Sequence, residues 1–295
     1  MWGKNLPNLL EEKNKMTKLC HALCSNIKTF VAWDVQESIA ESRRACGGLG
    51  YSYHSLFGIH LGINDLNQTW EGDNHVLMMQ TQQFLFTALK WLAKGEEMPE
   101  TCEFLESSPP DMEEHNCCIH DLKGLQSLFK ARACYMVHKA SQVMMSDPSK
   151  VAENFNNYQQ FDLREMSQAY FDTYILDTAL NWISIIEDKG VVAVYEKLLL
   201  LHVQNNIVKN EIFYSPILGD EKIDKAKRSI MDLLKDLRNE VLALTKVLPF
   251  PNNSYGMLGN EDLQLYERVL QHVKSTEKVS ERPNWWKLSY VNSEK

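Results

Sequence analysis

Apolar positions recur along this chain at intervals of three and four, and the alternation typical of strands is nearly absent. The clearest stretch is 221–247, where Ile223, Ala226, Ile230, Leu233, Leu237, Val241 and Leu244 fall on one stripe. Lys222, Lys225, Lys235 and Arg238 lie away from it, so the stripe reads as a core face and not as a cofactor box. Near the start, Leu19, Leu23, Ile27, Phe30 and Val31 predict a helix over about 9–44. It should stop at Gly47-Gly48, where propagation is costly and positive φ is accessible. A second helix is predicted over about 74–94, capped by Asp73 or Asn74 and closed by Gly95. Between these two, 49–68 is dotted with Gly50, Gly58 and Gly62 and carries Tyr51, Tyr53 and Phe57, which reads as an ordered loop. Further helices are expected over about 121–145, 150–187, 190–212 and 261–279, with a turn-rich loop over 249–260. No repeat with a period of about 20 to 50 residues is present, which argues against a solenoid.

One stretch breaks the helical pattern. From about 95 to 116, Met98-Pro99-Glu100, Ser107-Ser108-Pro109-Pro110 and scattered acids predict an extended polar linker. The expected architecture is therefore all-α, with two helical-bundle domains at 1–97 and 119–295 joined by a linker over 98–118. In the tail, Trp285-Trp286 is expected to pack onto the second domain.

Composition narrows the function. The 295 residues are 44% hydrophobic and 24% charged, ordinary for a folded chain. A net charge of -8 gives no footprint for nucleic acid or an anionic membrane surface. No apolar run approaches the roughly 18 residues that span a bilayer. The opening Met1-Trp2-Gly3-Lys4-Asn5-Leu6-Pro7 lacks the apolar core of a signal peptide. Seven cysteines at irregular spacings fit unpaired thiols in a reducing compartment. His115, Cys117, Cys118 and His120 match no standard zinc spacing, so no metal site is expected.

The candidate chemistry lies at Thr69-Trp70-Glu71-Gly72-Asp73-Asn74. A carboxylate can take a proton α to a carbonyl if its pKa is raised and the carbonyl is polarised. Burial against apolar groups raises it, and Trp70 could supply such a surface. Gly72 would let a cofactor or backbone approach closely, and Asp73 could cap the following helix or bind a ligand. The plainer account is that Glu, Asp and Asn are what any helix N-terminus prefers.

The arrangement of two segments shifts that balance. Ala45-Cys46-Gly47-Gly48-Leu49-Gly50-Tyr51, preceded by Arg43-Arg44, precedes the Thr69–Asn74 run, which continues into Val76 and Leu77. In this order and at about this separation, they resemble the two signature segments of the acyl-CoA oxidases. The resemblance implies FAD-dependent oxidation of a fatty acyl-CoA to a trans-2-enoyl-CoA with production of hydrogen peroxide. Glu71 would be the catalytic base, and Gly47, Gly48, Gly72 and Asp73 would lie against FAD. It further implies fatty acyl-CoA and molecular oxygen as partners, and a homodimer or pairing with a longer family member. A peroxisomal location is implied too, although Ser293-Glu294-Lys295 is not a Ser-Lys-Leu type address and cytoplasmic residence stays open. In the family the segments lie mid-chain, so this sequence resembles the C-terminal helical portion. Leu49 replaces a usual His, and Gln82-Gln83 stand where an Ala-Arg pair is frequent. Two alternatives stay open: a non-catalytic helical dimerisation or regulatory remnant, and an acyl-CoA binding module without redox activity.

Overall fold

The computed structural model describes residues 6–107, 117–158, 160–247, 256–259 and 264–285. Every regular element among them is helical, as the three-and-four spacing predicts. The helices are α1 (Leu6–Ala45), α2 (Gly47–Tyr51), α3 (Phe57–Leu66), α4 (Asn74–Ala93), α5 (Leu122–Met145), α6 (Val151–Glu153) and α7 (Gln160–Ser184). After them come α8 (Lys189–Lys209), α9 (Glu211–Leu218), α10 (Asp220–Leu237), α11 (Val241–Lys246) and α12 (Leu265–Ser275).

By contacts the chain forms two units, Met1–Trp33 with Gln68–Val247, and Asp34–Asn67 with Leu248–Lys295. The helix α1 contributes its first part to one and its last part to the other. In the first unit α5 packs along α7, α8 along α10, and α4 against α7. One core joins Leu19 of α1, Leu85 and Ala88 of α4, Val137 of α5 and Leu163 of α7. Another joins Leu125 and Phe129 of α5 with Val203, Ile207, Tyr214 and Ile223. In the second unit Asn64 of α3 donates from Nδ2 to Gln36 Oε1 on α1 at 2.8 Å, and Met257 N–H donates to the His54 carbonyl at 2.9 Å.

Five departures from the sequence expectations are informative. The glycine-dotted stretch 49–68 is largely helical: α2 is followed by a 3-10 turn at Tyr53–Ser55 and then by α3. Ser52 caps the 3-10 turn by accepting from His54 N–H, and Leu56 at φ 62 turns the chain into α3. Here buried Asn64, in register with half-buried Phe57 and Leu61, outweighs the low helix propensity of Gly58 and Gly62. Second, the described part of the segment expected to be extended is folded. Pro99 leads into a 3-10 helix, Glu100–Leu105, whose Cys102 and Leu105 are fully buried. Third, the 221–247 stripe is interrupted. Ile223, Ala226, Leu233 and Leu237 are buried, but α10 ends at Leu237 and Val241 is exposed. The predicted 150–187 helix likewise contains a π-helical turn at Asn154–Tyr158 before α7. Trp285 is exposed instead of packed, and Trp286 lies outside the described residues.

Arg132 of α5 is buried at 1% exposure and meets Asp172 of α7 at 3.1 Å and Glu165 at 3.2 Å. Its third partner is Asn210 Oδ1, at 3.3 Å. Burial raises the Asp172 pKa, against the pull of the guanidinium.

Candidate active site

The turn that carries Glu71 lies between α3 and α4. Asp73 sits at the N-cap of α4 with φ -57 and ψ 138, and its Oδ1 accepts from His75 N–H at 2.9 Å and Val76 N–H at 3.4 Å. The Asn74 N–H reaches back to the Gln68 carbonyl at 3.0 Å and closes the turn. Asn74 is buried at 1% exposure. Its Nδ2 donates to the Thr29 carbonyl at 3.3 Å, and Thr29 Oγ1 donates to the Asn74 carbonyl at 3.2 Å.

Inside this closed turn the backbone is unusual. Glu71 has φ 55 and Gly72 has φ 107. Positive φ is uncommon for a residue with a side chain, and in Glu71 it must be held by the surroundings. The Lys28 ammonium, on α1, supplies part of that hold by donating to the Gly72 carbonyl at 2.7 Å and to Asn74 Oδ1 at 2.8 Å. Glu71 itself is exposed, and Trp70 beside it is half exposed. The apolar burial that the sequence offered for Glu71 is therefore not supplied by Trp70.

The other sequence candidates divide by what occupies them. Gly72 has a packing reason as well as its φ, since a Cβ there would lie 2.8 Å from Leu77 Cδ2. Asp73 is engaged as a helix cap. Gly47 (φ 57) and Gly48 belong to the second unit; both are exposed, with nothing within 4 Å of an added Cβ. Nearby Gly50 differs, for a Cβ there would lie 2.1 Å from the Arg43 carbonyl oxygen, so it is glycine to let α2 fold back on the end of α1. Open space above Gly47-Gly48 fits the close approach of a flat group such as a flavin. Gly72 and Asp73 need no cofactor to account for them.

Lys28 and Thr29 are the residues that sequence reasoning missed. The signal was present in α1 as small and polar positions at Ala22, Ser25, Asn26, Thr29 and Ala32, all now buried. An apolar stripe advertises its partner by hydrophobicity; a polar one does not.

A family model for acyl-CoA oxidase matches residues 121–292, and one for the acyl-CoA oxidase C-alpha1 domain matches residues 4–86. The chain belongs to the acyl-CoA oxidase family. It is 28% identical over 277 residues to peroxisomal acyl-coenzyme A oxidase 1 of Phascolarctos cinereus, covering 89% of this chain and 42% of that protein. Against the Homo sapiens protein of the same name the identity is 26% over 274 residues, with 87% and 41% covered. Among solved structures, acyl-CoA oxidase 3 from Yarrowia lipolytica superposes with a TM-score of 0.87 at 18% identity, over 100% of this chain and 44% of that one. Acyl-CoA oxidase-2 of Caenorhabditis elegans, solved with FAD, ascaroside-CoA and ATP, gives 0.84 at 22% identity, over 93% and 42%. These structural likenesses establish the helical acyl-CoA oxidase fold. The chain spans about two-fifths of the length of the curated relatives it matches.

Proposed function

We propose that this chain carries the base of an FAD-dependent fatty acyl-CoA oxidation, and that Glu71 takes the α-proton of the thioester. The observation that carries this is the Glu71 turn: a carboxylate held at positive φ, at the mouth of α4, in a loop closed from both sides. Strain of that kind persists where the surroundings over-determine it, and it concentrates at functional sites.

Glu71 is exposed, so the exclusion of water around its carboxylate would have to come from the acyl-CoA and flavin themselves and from protein packed over them. FAD would supply the hydride acceptor, with oxygen returning it to the oxidised form. By resemblance to the family, the exposed Gly47-Gly48 backbone would lie against the FAD of a neighbouring subunit. Gly72 and Asp73 would act through the turn they shape. The product would be a trans-2-enoyl-CoA with hydrogen peroxide, the place of action the peroxisome, and the assembly a homodimer or a pairing with a longer relative. The relatives named peroxisomal support that location. Domains at 1–97 and 119–295 joined over 98–118 are supported by family matches that stop at 86 and resume at 121.

The test is product formation by the flavin-loaded chain. Enoyl-CoA and peroxide should appear together from a fatty acyl-CoA. Glu71→Gln should reduce both by about 10²- to 10⁴-fold, the usual contribution of a positioned base. A wild-type chain that takes up no flavin and forms no enoyl-CoA would favour the second reading, a non-catalytic helical partner of a longer oxidase. The exposure of Glu71 and Trp70 is what keeps that reading in view.

A further inference from the structure

We propose that Lys28 is a positioning residue that fixes the direction of the Glu71 carboxylate by clamping the backbone on its C-terminal side. Its two acceptors sit one and three residues beyond Glu71: the Gly72 carbonyl at 2.7 Å and Asn74 Oδ1 at 2.8 Å. Both are charge-assisted bonds, stronger than neutral ones. They are tied to each other, because Asn74 is held in turn by the Thr29 carbonyl and by Thr29 Oγ1. The amide orientation of Asn74 is fixed by this network, with the oxygen towards the ammonium and the nitrogen towards a carbonyl.

The consequence falls on Glu71. Rotation of the Gly72 carbonyl away from Lys28 would turn the Gly72–Asp73 peptide about ψ of Gly72 and φ of Asp73. With that peptide and Asn74 both held, the turn closed between Gln68 and Asn74 has fixed ends, and Glu71 within it stays at φ 55, where its carboxylate leaves the chain in one direction. Without the clamp, Glu71 is free to fall back to negative φ, the region natural to an L-residue, and its carboxylate swings with it. Leu77 packs against the neighbouring Gly72 Cα, where it leaves no room for a Cβ. Lys28 is half-buried on α1, 43 positions before Glu71, so the clamp makes the base turn depend on a different helix.

The claim that this orientation serves proton abstraction rests on Glu71 being the base, but the clamp has a readout of its own. Amide hydrogen exchange over 69–76 should accelerate about tenfold or more in Lys28→Met, while α5 and α7 keep their protection. Lys28→Arg, which keeps a charged donor, should restore much of it. If Lys28→Met does not fold, Lys28→Gln is read the same way. In the flavin-loaded chain, Lys28→Met should lower kcat with little change in KM, and Lys28→Arg should recover it. Unchanged exchange over 69–76 in a folded Lys28→Met chain overturns the clamp. Faster exchange with unchanged kcat overturns its link to catalysis. A wild-type chain without flavin activity overturns the functional reading instead, and the exchange result still decides the clamp.

Discussion

Gly72 answers to two constraints, and each has its own signature. Its φ of 107 disfavours any side chain, and Leu77 occupies the space a Cβ would take. Gly72→Ala should therefore cost about 1–3 kcal/mol, the range for local backbone strain and overpacking, read as a lower melting temperature. Adding Leu77→Ala should not restore it, because the backbone strain stays. Sequence reasoning marked Gly72 for cofactor approach; the reason the structure supplies is local packing, which depends on a rotamer five residues on. Arg132 was not legible as a special residue at all, since nothing in one sequence distinguishes it from a surface arginine. Its meaning comes from Asp172, forty positions away and 3% exposed in its side chain. Arg132→Met should destabilise by about 3–5 kcal/mol, because it leaves a buried carboxylate unpaired. The pair Arg132→Met with Asp172→Leu should recover most of that loss, and equal instability of single and double variants would contradict the ion-pair account.

Helix α4 shows how well periodicity and caps can place an element, and α3 shows the limit. The expected 74–94 helix is Asn74–Ala93, begun by the Asp73 cap as predicted. Asp73→Ala should lower stability by about 0.5–2 kcal/mol, and Asp73→Asn should keep most of the stability. A loss of FAD affinity in Asp73→Ala without any fall in melting temperature would instead make Asp73 a cofactor ligand. The 49–68 helices are masked in the sequence by their glycines, whereas the inner face of α3 is set by Phe57, Leu61 and Asn64. The end of α10 at Leu237 was also hidden, because the apolar spacing runs on through Arg238-Asn239-Glu240 into α11. A stripe shows which residues can face a core; where the core stops is a tertiary fact.

Across the whole molecule, the family and its helical fold were legible from two short segments, while the burial of polar groups was not. His138 is an instance. Burial lowers its imidazole pKa from 6.5, and Nε2 has no hydrogen-bond partner. The unfolded chain therefore binds the proton first, so stability should fall as pH drops through 6.5 and level off below the lowered folded value. His138→Phe should flatten that slope in chemical denaturation run at a series of pH values; an unchanged slope would place the titrating group elsewhere. The active-site reading is legible to the same degree. Glu71 is marked by its motif, its backbone strain and Lys28 only by the fold, in which the Glu71 side chain is exposed. The chain covers about two-fifths of its relatives, so flavin binding is the point on which its function turns. The measurement that decides most is the visible spectrum of the chain with FAD, taken anaerobically before and after adding a fatty acyl-CoA. Protein-bound flavin that bleaches in the wild type and stays coloured in Glu71→Gln is the expected result. Flavin that never binds, or that bleaches equally in Glu71→Gln, would contradict Glu71 as the base of this chain.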